Sequence, residues 1–344
     1  MKAAVFKQVG TPLAVENVAD PTPEPSELVI KVSYCGVCGT DLHATREGLT
    51  TACCGQVLGH EYVGEIAEVG KEADGNWQVG DRVCALPFIA CGKCAACATG
   101  RFFECLNKKV SGVDAPGGFA EYVTTGSRET LLLPDDLSMQ HAALIEPMAV
   151  GLHAVRVADL QAGDRVLIIG AGPIGLAVAA WARFFGARDV VVSELAQSRA
   201  ALAKSMGATD IIRPDIDAGT AGLSQQFGDI TGGGADVIFE CVGAPGLLQQ
   251  CIELASFGSK IIPVGVCEQP DAIMPFLALI KEVRLQFAIA YTKDDFETTV
   301  AMMAQGRIEV ASMITDIVTI DELPEAFEAL RTPSGQCKVL TKFA

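Results

Sequence analysis

Four cysteines, Cys91, Cys94, Cys97 and Cys105, lie in the run CGKCAACATGRFFEC, separated by two, two and seven residues. Two-residue gaps let successive thiolates turn toward one centre, and the longer gap returns the chain so that the fourth approaches from the far side. Four thiolates satisfy the tetrahedral preference of zinc and leave no position open to a substrate. The spacing therefore predicts a closed, structural metal site, with an iron–sulfur cluster as the alternative on the same donors.

Other donors are scattered. Cys38 stands in CGVCGTDLH, His60 and Glu61 in GHEYVG, and Glu146 in LIEPMAVGLH. A catalytic zinc wants about three protein ligands and one open position. Cysteine, histidine and glutamate could supply them, yet no local spacing joins the three segments. Each residue also has an ordinary reading, the cysteine as a small core residue and the glutamate as a solvated one.

A third pattern is Gly170-Ala171-Gly172-Pro173-Ile174-Gly175, which follows the apolar run Arg165 to Ile169 and opens a helix-like stretch. Here the glycines permit a tight turn and close approach of a pyrophosphate to a helix N-terminus. Glu194 lies 22 residues beyond Gly172, at the end of a second strand-like run, Asp189 to Ser193. An acid at that distance suits a ribose hydroxyl and repels a 2′-phosphate, so NAD is expected over NADP.

In their order along the chain, Cys38-Gly39-Thr40-Asp41-Leu42-His43, Gly59-His60-Glu61, the cysteine cluster and Glu146-Pro147 resemble the zinc-containing medium-chain alcohol dehydrogenases. The match is nearest to the sorbitol, butanediol and threonine dehydrogenase branch and spans essentially the whole chain. This resemblance implies an α/β fold: a GroES-like, β-rich catalytic domain and a Rossmann domain with a doubly wound parallel sheet. It implies two zinc ions per chain. One is held by Cys38, His60 and either Glu61 or Glu146, the other by the cysteine cluster. It also implies Thr40 and His43 as a proton path and Asp41 as the acceptor that orients His60. Arg199 is placed along the adenine, and Val242, Val264 and Val266 near the nicotinamide, with Ile174 and Val150 across the ring.

Hydride transfer between NAD and a secondary or vicinal alcohol, or its ketone, is the activity this implies. Threonine and polyol dehydrogenases are the enzymatic alternatives, and a non-catalytic, crystallin-like dinucleotide binder is the alternative of another class. Leu49, Phe88 and Phe119 are expected to line an apolar pocket, and Cys53, Cys54 and Cys84 to pack in the core. A homodimer or homotetramer is expected.

These residues need two domains, and 344 residues suffice for about two. Residues 1–151 and 290–344 are expected to form the catalytic domain. They hold strand-like runs at Leu28–Tyr34, Tyr62–Val69, Arg82–Leu86 and Ala120–Thr124, helices around Phe296–Gln305 and Leu323–Leu330, and a last strand at Cys337–Thr341. Residues 152–289 form the cofactor domain, where Arg165–Ile169, Asp189–Ser193, Ala235–Glu240 and Lys260–Val264 alternate with helix-like stretches. A net charge of −16 without a basic run argues against nucleic acid as a partner. The uncharged stretch Val166–Ala182 is broken near its start by Gly170, Gly172 and Pro173, so strand, turn and helix are expected there, not a membrane span. With no signal peptide expected, the chain is read as cytoplasmic and its 13 cysteines as thiols or metal ligands.

Overall fold

The computed structural model describes residues 1–48, 51–215, 217, 219–332 and 335–343. The chain divides into two compact units. The first comprises Met1–Glu146, Tyr291–Arg307 and Ile314–Ala344; the second comprises Pro147–Ala290 and Ile308–Met313. Ile308–Met313, grouped by sequence with the first domain, thus pack with the second. Leu49, expected at the substrate pocket, lies outside the described residues.

The first unit is built on one long strand, Glu27–Gly36, whose sequence ELVIKVSYCG is buried along most of its length. It pairs antiparallel with Glu61–Val69 on one side. On the other it pairs with Tyr122–Gly126 along one half and with Lys338–Lys342 along the other. Arg82–Ala85 and Thr130–Leu132 extend the sheet at one end, and Ile314–Thr319 closes the other by a parallel pairing to Lys338–Lys342. Phe119 and Phe327 meet edge to face in its core, with ring centroids 6.4 Å apart. Phe119 is fully buried, so it serves packing and does not line an open pocket as its sequence position suggests.

The second unit contains a six-stranded parallel sheet. Its spatial order is Asp210–Ile212, Asp189–Ser193, Arg165–Ile169, Val237–Glu240, Lys260–Pro263 and Arg284–Leu285. Numbered along the chain that order is 3-2-1-4-5-6, the doubly wound Rossmann arrangement, which reverses direction between Arg165–Ile169 and Val237–Glu240. The central strands read RVLII and VIFE and are buried almost throughout, as expected where helices cover both faces. Pro173 opens the helix Pro173–Phe184, where its fixed φ fits and its missing N–H costs nothing. Trp181 on that helix is fully buried and donates its indole N–H to the Met148 carbonyl at 2.8 Å. Among the described residues no helix is long and apolar enough to cross a membrane. Val166–Ala182 is most of a strand, a turn and most of a helix.

Candidate metal and cofactor sites

Cys38 caps the short helix Gly39–Ala44 in extended backbone conformation. Three residues on, Asp41 is buried and accepts the Cys38 N–H at 2.9 Å through Oδ2, which fixes the turn that presents the cysteine. Its other oxygen, Oδ1, accepts the Gly59 N–H at 3.0 Å and faces His60 Nδ1 at 3.5 Å. One carboxylate thus ties both metal-binding segments together. It also leaves His60 Nε2 as the ring nitrogen free to bind. Burial pulls the His60 imidazole down, but the Asp41 and Cys38 charges outweigh it and hold its pKa well above the ordinary value.

Cys38, His60 and Glu61 bring one donor atom each to within 4.8 Å of one another. Glu61 begins the strand Glu61–Val69 directly opposite Gly36. A Cβ on Gly36 would sit 2.1 Å from Glu61 Oε2, so the carboxylate occupies space that only glycine leaves. Both of its oxygens accept from Lys338 Nζ at 2.7 Å, and each residue of this pair is 1% exposed. Burial opposes the charge on Lys338, yet Glu61 overrides it and raises the ammonium pKa. Glu146 is not part of the three-residue cluster. Its Oε1 accepts the Tyr291 hydroxyl at 2.8 Å, and burial raises its carboxyl to about 7 against the opposing pull of His60.

Around this cluster Thr40 is exposed, with Oγ1 3.6 Å from Cys38 Sγ, and His43 is half-buried on the same helix. Phe88 is buried and packs on Phe103 and Tyr291, so it supports the phenol that holds Glu146. Cys84 packs in the core as expected, but Cys53 and Cys54 are exposed: they fall in a turn before the sheet resumes, outside the packed layer. Sequence reasoning misses Lys338 and Tyr291. A lysine inside the otherwise apolar run CKVL is the available signal for the first; the second has none.

The four thiolates of the cysteine cluster also converge. All four Sγ atoms lie within 4.8 Å of one another, with Cys94–Cys97 at 3.4 Å and Cys91–Cys97 at 3.9 Å. Tetrahedral sulfur ligands about 2.3 Å from zinc would be about 3.8 Å apart, so the donor set fits that ion. Cys94 caps the helix Ala95–Ala98, and Cys105 ends the turn Phe102–Glu104. Backbone N–H groups of Lys93 and Cys94 bring the Cys91 thiol down to about 6, whereas burial pushes Cys97 up to about 12. Loading a metal on this cluster must therefore release protons near neutral pH.

In the second unit Gly170 has φ +96°, a conformation that disfavours any residue with a Cβ. Gly172 caps the helix after the turn, and a Cβ on Gly175 would lie 2.0 Å from the Gly170 carbonyl oxygen. Glu194 is buried. Its Oε2 accepts the Ala171 N–H at 2.8 Å, and its Oε1 accepts the Ala196 N–H at 2.7 Å and Arg199 Nη2 at 3.0 Å. A carboxylate has about four acceptor positions, so one remains on Oε2. Arg199 Nε is buried without a partner. Gly170, Glu194, Arg199 and Val242 line a cavity of about 430 Å³ at the carboxyl ends of the strands. Val266, Val264 and Ile174 do not line that cavity; Val242 and Val266 are each 51% exposed, while Val264 and Ile174 are half-buried.

An open Cys–His–carboxylate set, a closed thiolate cluster and a dinucleotide-type turn describe a metal-dependent dehydrogenase, and known proteins narrow the class. Residues 24–135 match the alcohol dehydrogenase GroES-like domain, and residues 173–305 match the zinc-binding dehydrogenase family. The (R,R)-butanediol dehydrogenase of Bacillus subtilis is 34% identical, covering 96% of each chain. A Sinorhizobium meliloti structure bound to NADP superposes with a TM-score of 0.89 at 32% identity over 99% of both chains. An alcohol dehydrogenase structure from Escherichia coli CFT073 complexed with NADH gives 0.90 at 27% identity, over 100% of this chain and 99% of that one. The chain belongs to the zinc-dependent medium-chain alcohol dehydrogenase family. It is accordingly an oxidoreductase of alcohol CH–OH groups.

Proposed function

We propose that this enzyme interconverts a secondary or vicinal alcohol and its ketone with NAD, at a zinc held by Cys38 and His60. The convergence of Cys38, His60 and Glu61 donor atoms within 4.8 Å carries this reading. When bound, zinc supplies a Lewis acid for the alcohol oxygen and NAD a hydride acceptor. Thr40 Oγ1, beside Cys38, takes the alcohol proton, and His43 passes it to solvent. Asp41 keeps the His60 ring in the orientation and tautomer that bind metal. Glu146, held by Tyr291, stands outside the donor cluster and can exchange with Glu61. Cys91, Cys94, Cys97 and Cys105 hold a second zinc that has no catalytic role.

In the cofactor site, Gly170, Gly172 and Gly175 give the pyrophosphate its approach to the helix that Pro173 and Ile174 begin. The remaining acceptor on Glu194 takes a ribose hydroxyl, and the buried charge repels a 2′-phosphate. Arg199 runs beside that ribose and the adenine, and Val242, Val264 and Val266 border the nicotinamide end. Alcohol-dependent NADH formation with a panel of butanediol, sorbitol and threonine tests the reaction class; no turnover of any secondary alcohol would sink it. For the cofactor, Glu194→Ala should raise the NAD dissociation constant about tenfold or more, the value of a charge-assisted hydrogen bond. NADP should bind no more weakly, because the repulsion of its 2′-phosphate is relieved, and the gap between the two cofactors should narrow. A native enzyme that binds NADP more tightly than NAD would remove Glu194 from this role.

The enzyme is proposed to be a cytoplasmic homo-oligomer. In support, the parallel sheet ends at Arg284–Leu285, and Leu285 on that strand and Phe287 and Ile289 just after it are exposed at 38%, 66% and 64%. An apolar sheet edge of this kind pairs or aggregates. Phe287→Glu should convert the assembly to smaller species by sedimentation, with NAD still bound. An unchanged sedimentation coefficient would rule this edge out as the contact.

A further inference from the structure

We propose that Gly117 is a positioning residue of the metal centre, one that aims the His60 imidazole by holding the backbone behind it. The inference rests on the reading of Cys38 and His60 as ligands of a zinc. Leu58, Gly59 and His60 lie outside any strand, and the sheet resumes only at Glu61. No sheet ladder therefore aims the histidine, although a metal ligand must be held to within about 0.5 Å of its working geometry. Residues 117–119 take over that task. The Gly117 N–H donates to the Val57 carbonyl at 2.8 Å, the Phe119 N–H to the Leu58 carbonyl at 2.9 Å and the Gly118 N–H to the Gly59 carbonyl at 2.7 Å. Three consecutive N–H groups thus hold the three carbonyls that precede the histidine.

So close an approach of two backbones requires glycine. A Cβ on Gly117 would sit 2.3 Å from the Gly59 oxygen and 2.5 Å from the Leu58 oxygen, and neither backbone atom can swing away as a side chain would. Side chains fasten the loop on either side of the histidine. Gln56 Nε2 donates to the Ala115 carbonyl at 2.6 Å, and the Tyr62 and Ser111 hydroxyl oxygens are 3.3 Å apart. The loop from Ser111 to Phe119 therefore grips the chain both before and after His60. This hold complements that of Asp41, which faces the ring itself. A ring turned correctly still misses the metal if the backbone carrying it is displaced. Packing does not account for the arrangement, because the contacts at Gly117 join polar backbone groups and bury no side chain of the glycine.

Zinc affinity by competition with a chromophoric chelator, and the visible spectrum of cobalt placed in the Cys38–His60 site, test this on the full chain. In Gly117→Ala the added methyl group must push Leu58 and Gly59 aside. Affinity should then fall about 10- to 100-fold, the range for groups that orient ligands, and the cobalt spectrum should change. Ile66→Val separates positioning from packing. It truncates a buried core residue on the strand after His60, so it should lower the melting temperature and leave affinity and spectrum native. Native affinity and spectrum in a folded Gly117→Ala, or an equal loss of affinity in both variants, would overturn the role of Gly117. Should Gly117→Ala not fold, Gln56→Ala decides. It adds no bulk and loosens the same loop by one hydrogen bond, so affinity should fall about fivefold; native affinity there would overturn the proposal. Cys38→Ser separates the two levels: metal retained there would overturn the site itself, whereas metal lost there supports the site and lets the Gly117 and Gln56 variants decide the role of the loop.

Discussion

His60→Ala is expected to lower the rate of alcohol oxidation on the order of a thousandfold, equivalent to several kcal/mol of transition-state stabilisation. On the proposed occupancy of two zinc ions per chain, it should also remove one of them. The imidazole is one of two donors whose geometry Asp41 fixes through the Cys38 N–H, the Gly59 N–H and the ring itself. Removing it leaves a thiolate and a carboxylate already engaged by Lys338, too few donors to keep a metal. The fold should survive although the ring is buried, because Asp41 keeps its two backbone partners. Elemental analysis and initial rates check this together. A variant that keeps two zinc ions, or that turns over at a rate near the native one, would contradict the assignment.

Cys97→Ser is expected to do the reverse, removing the other zinc and costing mainly stability. Zinc binding to closed thiolate sites is worth on the order of 10 kcal/mol. Within a large folded unit only part of that appears as a change in global unfolding. The segment Cys91–Cys105 has just one four-residue helix and one 3₁₀ turn of its own, so little besides the metal holds its shape. A lower melting temperature, by roughly 10 °C, follows if several kcal/mol are lost in a unit of this size. The rate per folded molecule at low temperature should remain close to native. Calorimetry with metal analysis decides it: an unchanged melting temperature with one zinc missing would make the cluster dispensable to the fold.

How far the sequence carries depends on how local the signal is. Arg165–Ile169 and Asp189–Ser193 have the bounds in the structure that their apolar runs suggest, since strands covered on both faces need no alternation. The cysteine cluster is equally local, with its four donors on one short loop. Ile314–Thr319 escapes a reading of this kind because it is an edge strand with most of its residues partly or fully exposed, so it carries no apolar pattern. The helix expected from Phe296 begins at Lys293, where Thr292 and Asp295 cap each other's backbone; capping chemistry, not apolar spacing, sets that start. The centre around Cys38 is legible only through family resemblance, as its parts come from separate strands and a helix. Lys338 is beyond even that, being 277 residues from the carboxylate it holds.

Gly36 gives the centre a component that no donor inventory would contain. The strand Glu27–Gly36 ends with a missing side chain, and the void so created is where the Glu61 carboxylate resides. Grafting Cys38, His60, Glu61 and Lys338 onto another sheet would transplant every functional group and still fail if the opposing strand carried a methyl group at that position. What must be copied includes a hollow the size of one carbon atom. Substitutions at Gly36 therefore act at a distance from the metal's own ligands, by evicting an anion from a mould cast in backbone.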